Sequence, residues 1–146
     1  MQRYVTIWFR FLLTDWHCKQ APALKQEAFV LATLARGRKI ITVADERASQ
    51  LGAAPGMTVA DAKAIIPGLK VVDSPVELPQ KLLRKLAEWC IRFSPVVALD
   101  PPGGLIIDAS GCAHLWGGEA PYCRAIATRL GDMGYQVRLA MAGTIG

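Results

Sequence analysis

Residues 78–108 read Leu78-Pro-Gln-Lys-Leu-Leu-Arg-Lys-Leu-Ala-Glu-Trp-Cys-Ile-Arg-Phe-Ser-Pro-Val-Val-Ala-Leu-Asp-Pro-Pro-Gly-Gly-Leu-Ile-Ile-Asp108, and two periodicities meet within them. Leu78, Leu82, Leu86, Trp89 and Phe93 recur at spacings of four, four, three and four, which lines one side of a helix and leaves Lys81, Arg84, Lys85 and Arg92 on the other. Ser94-Pro95 ends that helix, because the residue before a proline is pushed out of helical geometry. Val96 to Asp100 and Leu105 to Asp108 then read as strands, joined by the tight connection Pro101-Pro102-Gly103-Gly104.

Working outward, Arg3 to Phe9 alternates and is rich in β-branched and aromatic residues, which suit a half-buried pleated surface. A short helix is expected over Leu12 to Cys18. Beyond Gly117-Gly118, Ala120 to Leu130 reads as a second amphipathic helix and Gln136 to Ala142 as a last strand. The stretch from Lys19 to about Val76 differs in texture. It holds strands at Phe29 to Leu34 and Lys39 to Val43 around an Arg36-Gly-Arg38 turn. Short helices follow at Ala44 to Leu51 and Thr58 to Ile66, ended by Gly52, Pro55-Gly56 and Pro67-Gly68, and then a strand at Lys70 to Asp73. With that compact insertion set aside, the order is strand, helix, strand, strand, helix, strand. This is the α+β, ferredoxin-like βαββαβ arrangement, in which the first and third strands are central neighbours. Trp8 and Arg10 should therefore end near the connection after Asp100. The fold by itself names no chemistry.

Composition narrows the classes. A chain of 146 residues with 52% hydrophobic and 20% charged residues can bury a real core, which argues against disorder. The longest apolar runs fall far short of the ~20 residues that cross a bilayer, and the N-terminus lacks a signal-peptide pattern. A cytoplasmic protein is expected, with no membrane partner. Cys18, Cys90, Cys112 and Cys123 show no C-x-x-C spacing and are expected as thiols. Cys112 and His114 lie two apart, but a pair of ligands without a second pair makes a poor zinc site. The net charge of +5 permits a polyanionic partner without requiring one.

The segments Leu51-Gly-Ala-Ala-Pro-Gly-Met-Thr-Val-Ala-Asp-Ala-Lys-Ala-Ile-Ile-Pro67, Leu105-Ile-Ile-Asp-Ala-Ser-Gly111 and His114-Leu-Trp-Gly-Gly118 resemble the fingers signature, palm strand and following loop of the Y-family translesion DNA polymerases. Tyr4-Val-Thr-Ile-Trp-Phe-Arg10, Asp15-Trp16, Glu88-Trp-Cys-Ile-Arg-Phe-Ser-Pro95, Asp100-Pro-Pro-Gly-Gly-Leu105 and Ser110-Gly-Cys-Ala-His-Leu-Trp-Gly-Gly-Glu119 are similar to a polymerase-like, non-catalytic branch serving bacterial SOS mutagenesis. The resemblance implies a palm whose first strand lies in residues 1–12, a fingers insertion over 13–76 and the remaining palm over 77–146. It also implies that the chain is an N-terminal fragment preceding a thumb and little finger.

Active members of that family place Asp-x-Asp on the first strand and an Asp-Glu pair at the start of the third, aiming hard carboxylate oxygens at two metal ions. Alignment puts Trp8 and Arg10 at the first pair and Gly103 and Gly104 at the second. A ring, a guanidinium and two glycines cannot hold Mg²⁺. If Trp8 fills the vacated pocket, it both blocks chemistry and stabilises the palm by burying its ring. Asp100 and Asp108 remain, but roughly 13 Å of extended strand separates Asp108 from the turn, against the ~4 Å of a metal pair. The resemblance matches Asp108 to a family aspartate outside the metal cluster, and its plain role is a hydrogen bond to backbone or turn. It likewise puts Leu13, Glu46 and Ser49 where active relatives hold an aromatic sugar screen, a tyrosine and an arginine, and Glu46 would repel phosphate.

The implied protein is therefore not an enzyme and has no cofactor or metal. Its DNA contacts would be Arg36, Arg38, Lys39 and Arg47, a fingers cluster with few acids nearby, since phosphate contacts need no metal. The resemblance adds a RecA-like protein, the sliding clamp and an error-prone replicative-type polymerase as partners. Trp8, Trp16, Trp89 and Trp116 could stack on unpaired bases, although Trp89 belongs to the apolar helix face. Two other readings stay open: an active lesion-bypass polymerase with a divergent metal site, and a ferredoxin-like small-molecule sensor.

Overall fold

A computed structural model describes residues 2–144. In chain order its elements are β1 (Tyr4–Phe9), α1 (Leu12–Gln20), β2 (Phe29–Ala35), β3 (Arg38–Ala44), α2 (Glu46–Gln50), α3 (Val59–Ile65), β4 (Lys70–Asp73), α4 (Leu78–Cys90), β5 (Val97–Asp100), β6 (Gly104–Asp108), α5 (Glu119–Asp132) and β7 (Val137–Ala142). Two 3₁₀ turns, Pro22–Gln26 and Ala113–Trp116, have no counterpart in the sequence reading. The chain divides into two compact units, one formed by residues up to Asp15 with those from Pro79 onward, the other Trp16–Leu78.

The first unit is built on a four-stranded sheet in the order β5-β6-β1-β7, with all neighbours antiparallel. Counting only these four strands, the first and third are adjacent at the centre, as the βαββαβ arrangement requires. Strand alternation sends Val5, Ile7 and Phe9 of β1 and Leu105 and Ile107 of β6 to one face, where all five are buried. Leu82, Leu83, Leu86 and Cys90 of α4 and Tyr122, Ile126 and Leu130 of α5 supply the helical share of this core. Lys81, Arg84 and Lys85 on the other side of α4 are exposed, as the charge stripe predicts. Tyr122 is fully buried, and its hydroxyl donates to the Phe93 carbonyl at 2.9 Å. A buried phenol with an unpaired hydroxyl would cost stability. Burial also pushes its pKa far above the ordinary phenol value. At the rim, Arg3 grips Glu119 through two bonds, Nε to Oε2 at 2.8 Å and Nη2 to Oε1 at 3.0 Å. The Asp15 carboxylate accepts from the Gln136 amide at 2.9 Å, tying α1 to the entry of β7.

The second unit has a three-stranded sheet in the order β3-β2-β4, antiparallel between β2 and β3 and parallel between β2 and β4. Its core gathers Val30, Ala32, Ile41, Ala48, Val59, Ala62, Ile66 and Leu69. The β2–β3 hairpin turns on Arg36 and Gly37, with φ of 51° and 76°. Two positive φ angles in a two-residue loop match the twist of the flanking strands, so Arg36 accepts a left-handed backbone that glycine alone adopts freely. Asp45 explains why α2 starts later than the sequence suggests. Its Oδ1 accepts from the amides of Ala48 at 2.8 Å and Phe29 at 3.0 Å, capping the helix and pinning it to β2. His17 and Ser74, both buried, meet at 3.2 Å; burial lowers the His17 pKa.

Candidate functional site

Two groups of residues could touch a ligand, one in each unit. In the first unit the strand register sets four residues in one row across the sheet: Asp100 opposite Gly104, Gly104 opposite Trp8, Trp8 opposite Arg138. Directly opposed residues share a face. This is the face turned away from the buried Ile7 and Leu105, so the row lies on the open side of the sheet. The next row on the same side is Ala98, Ile106, Thr6 and Ala140, and beyond it Asp108 stands opposite Tyr4, opposite Ala142.

The structure brings Trp8 to the connection after Asp100, as the topology demands, with the Phe9 amide donating to the Gly103 carbonyl at 2.8 Å. The condition on Trp8 is not met. The residue is 51% exposed instead of buried in a pocket, because position 8 falls on the open face and its neighbour Gly104 offers no side chain to cover it. Arg10 follows the end of β1 and is exposed, its guanidinium 5.1 Å from the Phe11 ring centre. The glycines have a steric cause: a Cβ at Gly104 would lie 2.9 Å from the Asp100 carbonyl oxygen, and one at Gly103 would lie 3.2 Å from that of Phe9.

Asp100 and Asp108 are at opposite ends of the β6 register, paired with Gly104 and Tyr4 respectively through β6. Asp108 accepts from the Ser110 amide at 3.0 Å, the turn bond expected of it. Hydrogen bonds from Ser110 hold its carboxyl below the ordinary aspartate range. Among the described residues no group of three His, Cys, Asp or Glu side chains converges closely enough for a metal ion.

In the second unit, Arg38 and Lys39 of β3 and Lys63 of α3 line an open groove of about 540 Å³ with Thr58 and Asp61. Arg36 projects from the hairpin turn and Arg47 from α2; neither lines this groove. The expectation of few nearby acids needs correcting, since Lys39 Nζ is 3.1 Å from Asp73 Oδ1 and Asp61 sits in the groove wall. The sequence reading missed Lys63; no local signal marks a helix lysine as facing a neighbouring strand. Glu46 and Ser49 are exposed, three residues apart and hence on one face of α2. Leu13 is half-buried on α1. Trp89 is also half-buried, with the Arg92 guanidinium 4.2 Å from its ring centre, so it is less deeply placed than its helical spacing suggests.

Comparison with known proteins adds three findings. The impB/mucB/samB family matches residues 7–145. Protein ImuB of Caulobacter vibrioides is 42% identical over 96 residues, which cover 66% of this chain but only 21% of that protein. Among solved structures, DinB from Sulfolobus solfataricus superposes over 98% of this chain and 42% of its own, with a TM-score of 0.77 at 14% identity. A post-insertion binary complex of Dbh DNA polymerase gives 0.78 over 96% of this chain and 42% of its own, also at 14% identity. At that identity the structural likeness establishes the fold: the mixed α+β architecture of the Y-family polymerase palm.

Proposed function

The chain belongs to the impB/mucB/samB family, and from that premise we propose that it is a non-catalytic, Y-family polymerase-like adaptor in SOS-induced translesion synthesis. In this reading the first unit is the palm and the second the fingers. It links DNA to the sliding clamp, a RecA-like protein and an error-prone polymerase that performs the synthesis. The matched stretch covers about a fifth of the length of the curated relative, so the whole protein's activities are proposals here.

The observation that carries the reading is the row Asp100, Gly104, Trp8, Arg138. Two-metal phosphoryl transfer needs several carboxylates aimed at one point. This row offers one carboxylate at its outer strand, an indole at its centre and a guanidinium beyond. Gly104 is hemmed in by the Asp100 backbone, so the missing acid has no room in this backbone.

DNA contact rests on phosphate recognition by Arg36, Arg38, Lys39 and Arg47, which requires no metal. Replacing Arg36, Arg38 and Arg47 by Gln is expected to weaken binding alike on all DNA sequences. The slope of log affinity against log salt should fall by about one for each cation that touches phosphate. Lys39→Gln should matter less, because Asp73 already neutralises it. Filter-binding titrations of the full-length protein across a salt series measure this. An unchanged slope removes these residues from the DNA interface, and binding at no salt concentration favours the small-molecule sensor.

A further inference from the structure

Trp8 is a large ring standing half in solvent on a central strand, where neighbouring side chains normally cover it. Its partners across the strands are a glycine and an arginine. Gly104 flanks it without a side chain, Thr6 and Ala140 with the half-buried Ile106 form the adjoining row, and the Arg138 guanidinium lies 5.9 Å from the indole centre. Three residues on, Phe11 is 39% exposed and pairs with the Arg10 guanidinium at 5.1 Å. Two exposed rings, each with an arginine, thus occur at one end of the β1 strand.

From this we propose that Trp8 is a stacking platform for an unpaired base of single-stranded DNA, with Arg138 and Arg10 meeting the adjacent phosphates. The inference rests on the reading of the chain as a DNA-handling protein and names a site within it. The chemistry is that of open four-stranded sheets that stack splayed-out bases on exposed aromatics, and of single-strand grooves that alternate rings with cations. Gly104, with no side chain, leaves one flank of the indole open for a base. Charge sets the path of the strand: Asp100, at the β5 end of the same row, repels phosphate, while Arg138 at the β7 end attracts it. The backbone would run along β7. A duplex, whose bases are already stacked, gains nothing from the indole.

The test uses the full-length protein and a thymidine oligomer carrying one fluorescent aminopurine, whose emission falls on stacking. Wild-type protein should quench it. Trp8→Ala should abolish the quench and weaken single-strand binding about tenfold, whereas Trp8→Phe keeps most of both and duplex affinity is unmoved. Because Trp8 is half-exposed, thermal melting of Trp8→Ala should match wild type and certify the fold. Undiminished quenching and affinity in Trp8→Ala overturns the platform, leaving the DNA-handling reading intact if the Arg36, Arg38 and Arg47 substitutions still reduce binding. Absence of binding to single and double strands alike overturns both.

Discussion

Replacing Phe93 by alanine is expected to destabilise the first unit by about 3–5 kcal/mol, the range for truncating a buried aromatic. Phe93 is 2% exposed and sits just beyond α4, where the chain turns toward β5. Its ring centre lies 5.4 Å from that of Trp89, 5.1 Å from Trp116 and 6.2 Å from Tyr122, with the Arg129 guanidinium 5.7 Å away. No single neighbour can collapse into the gap, because each ring is held by others: Trp116 also faces Tyr122 at 6.3 Å, and the Tyr122 hydroxyl is tied to the Phe93 carbonyl. A urea unfolding midpoint reports the loss. A change below about 1 kcal/mol, the centre of ordinary substitutions, would mean that this cluster is not the structural hub it looks like.

Gly104→Ala is the second large effect, at about 1–3 kcal/mol for forced overpacking. The new methyl would stand 2.9 Å from the Asp100 carbonyl oxygen and 3.3 Å from the Asp100 Cβ. The obstacle is largely backbone, so a rotamer change cannot relieve it and the β5–β6 hairpin must shift. The consequence bears on the proposed function: any side chain at Gly104 meets the same Asp100 carbonyl oxygen, whereas one at Gly103 has its Cβ 3.2 Å from the Phe9 carbonyl oxygen and needs only a small backbone adjustment. Gly111→Ala serves as the contrast, because nothing lies within 4 Å of its Cβ position and only its positive φ of 72° resists the change. Equal stability of Gly104→Ala and wild type, by the same urea measurement, would show that the hairpin has slack.

These effects also mark how much could be read before the structure. Leu82 and Leu86 declare a buried helix face because period 3.6 is a local property of the chain, and the same holds for the alternation that makes β1; the helix stops at Cys90, short of the Ser94-Pro95 end that the sequence suggests, so the buried Phe93 lies beyond it. The strand order follows from the element sequence by general topological rules. Side-chain depth at the site did not follow. Trp8 could be assigned to a strand but not to a face until Ile7 and Leu105 were seen to be opposed and buried, and a one-residue difference decides between core and solvent. Lys39 and Asp73 come from different strands of one sheet, so their ion pair had no signature in either segment. The 3₁₀ turn at Ala113–Trp116, which precedes the left-handed Gly117, was hidden inside a segment legible only as a family loop.

Primer extension by the full-length protein, with Mg²⁺ or Mn²⁺ on undamaged and lesion-bearing templates, is the most direct test of whether the sheet centre lacks a metal cradle. The expected result is no nucleotide incorporation above a protein-free control with either ion. Template-directed incorporation that Asp108→Ala or Asp100→Ala abolishes would contradict it, by showing that carboxylates do converge on metal ions in this family member.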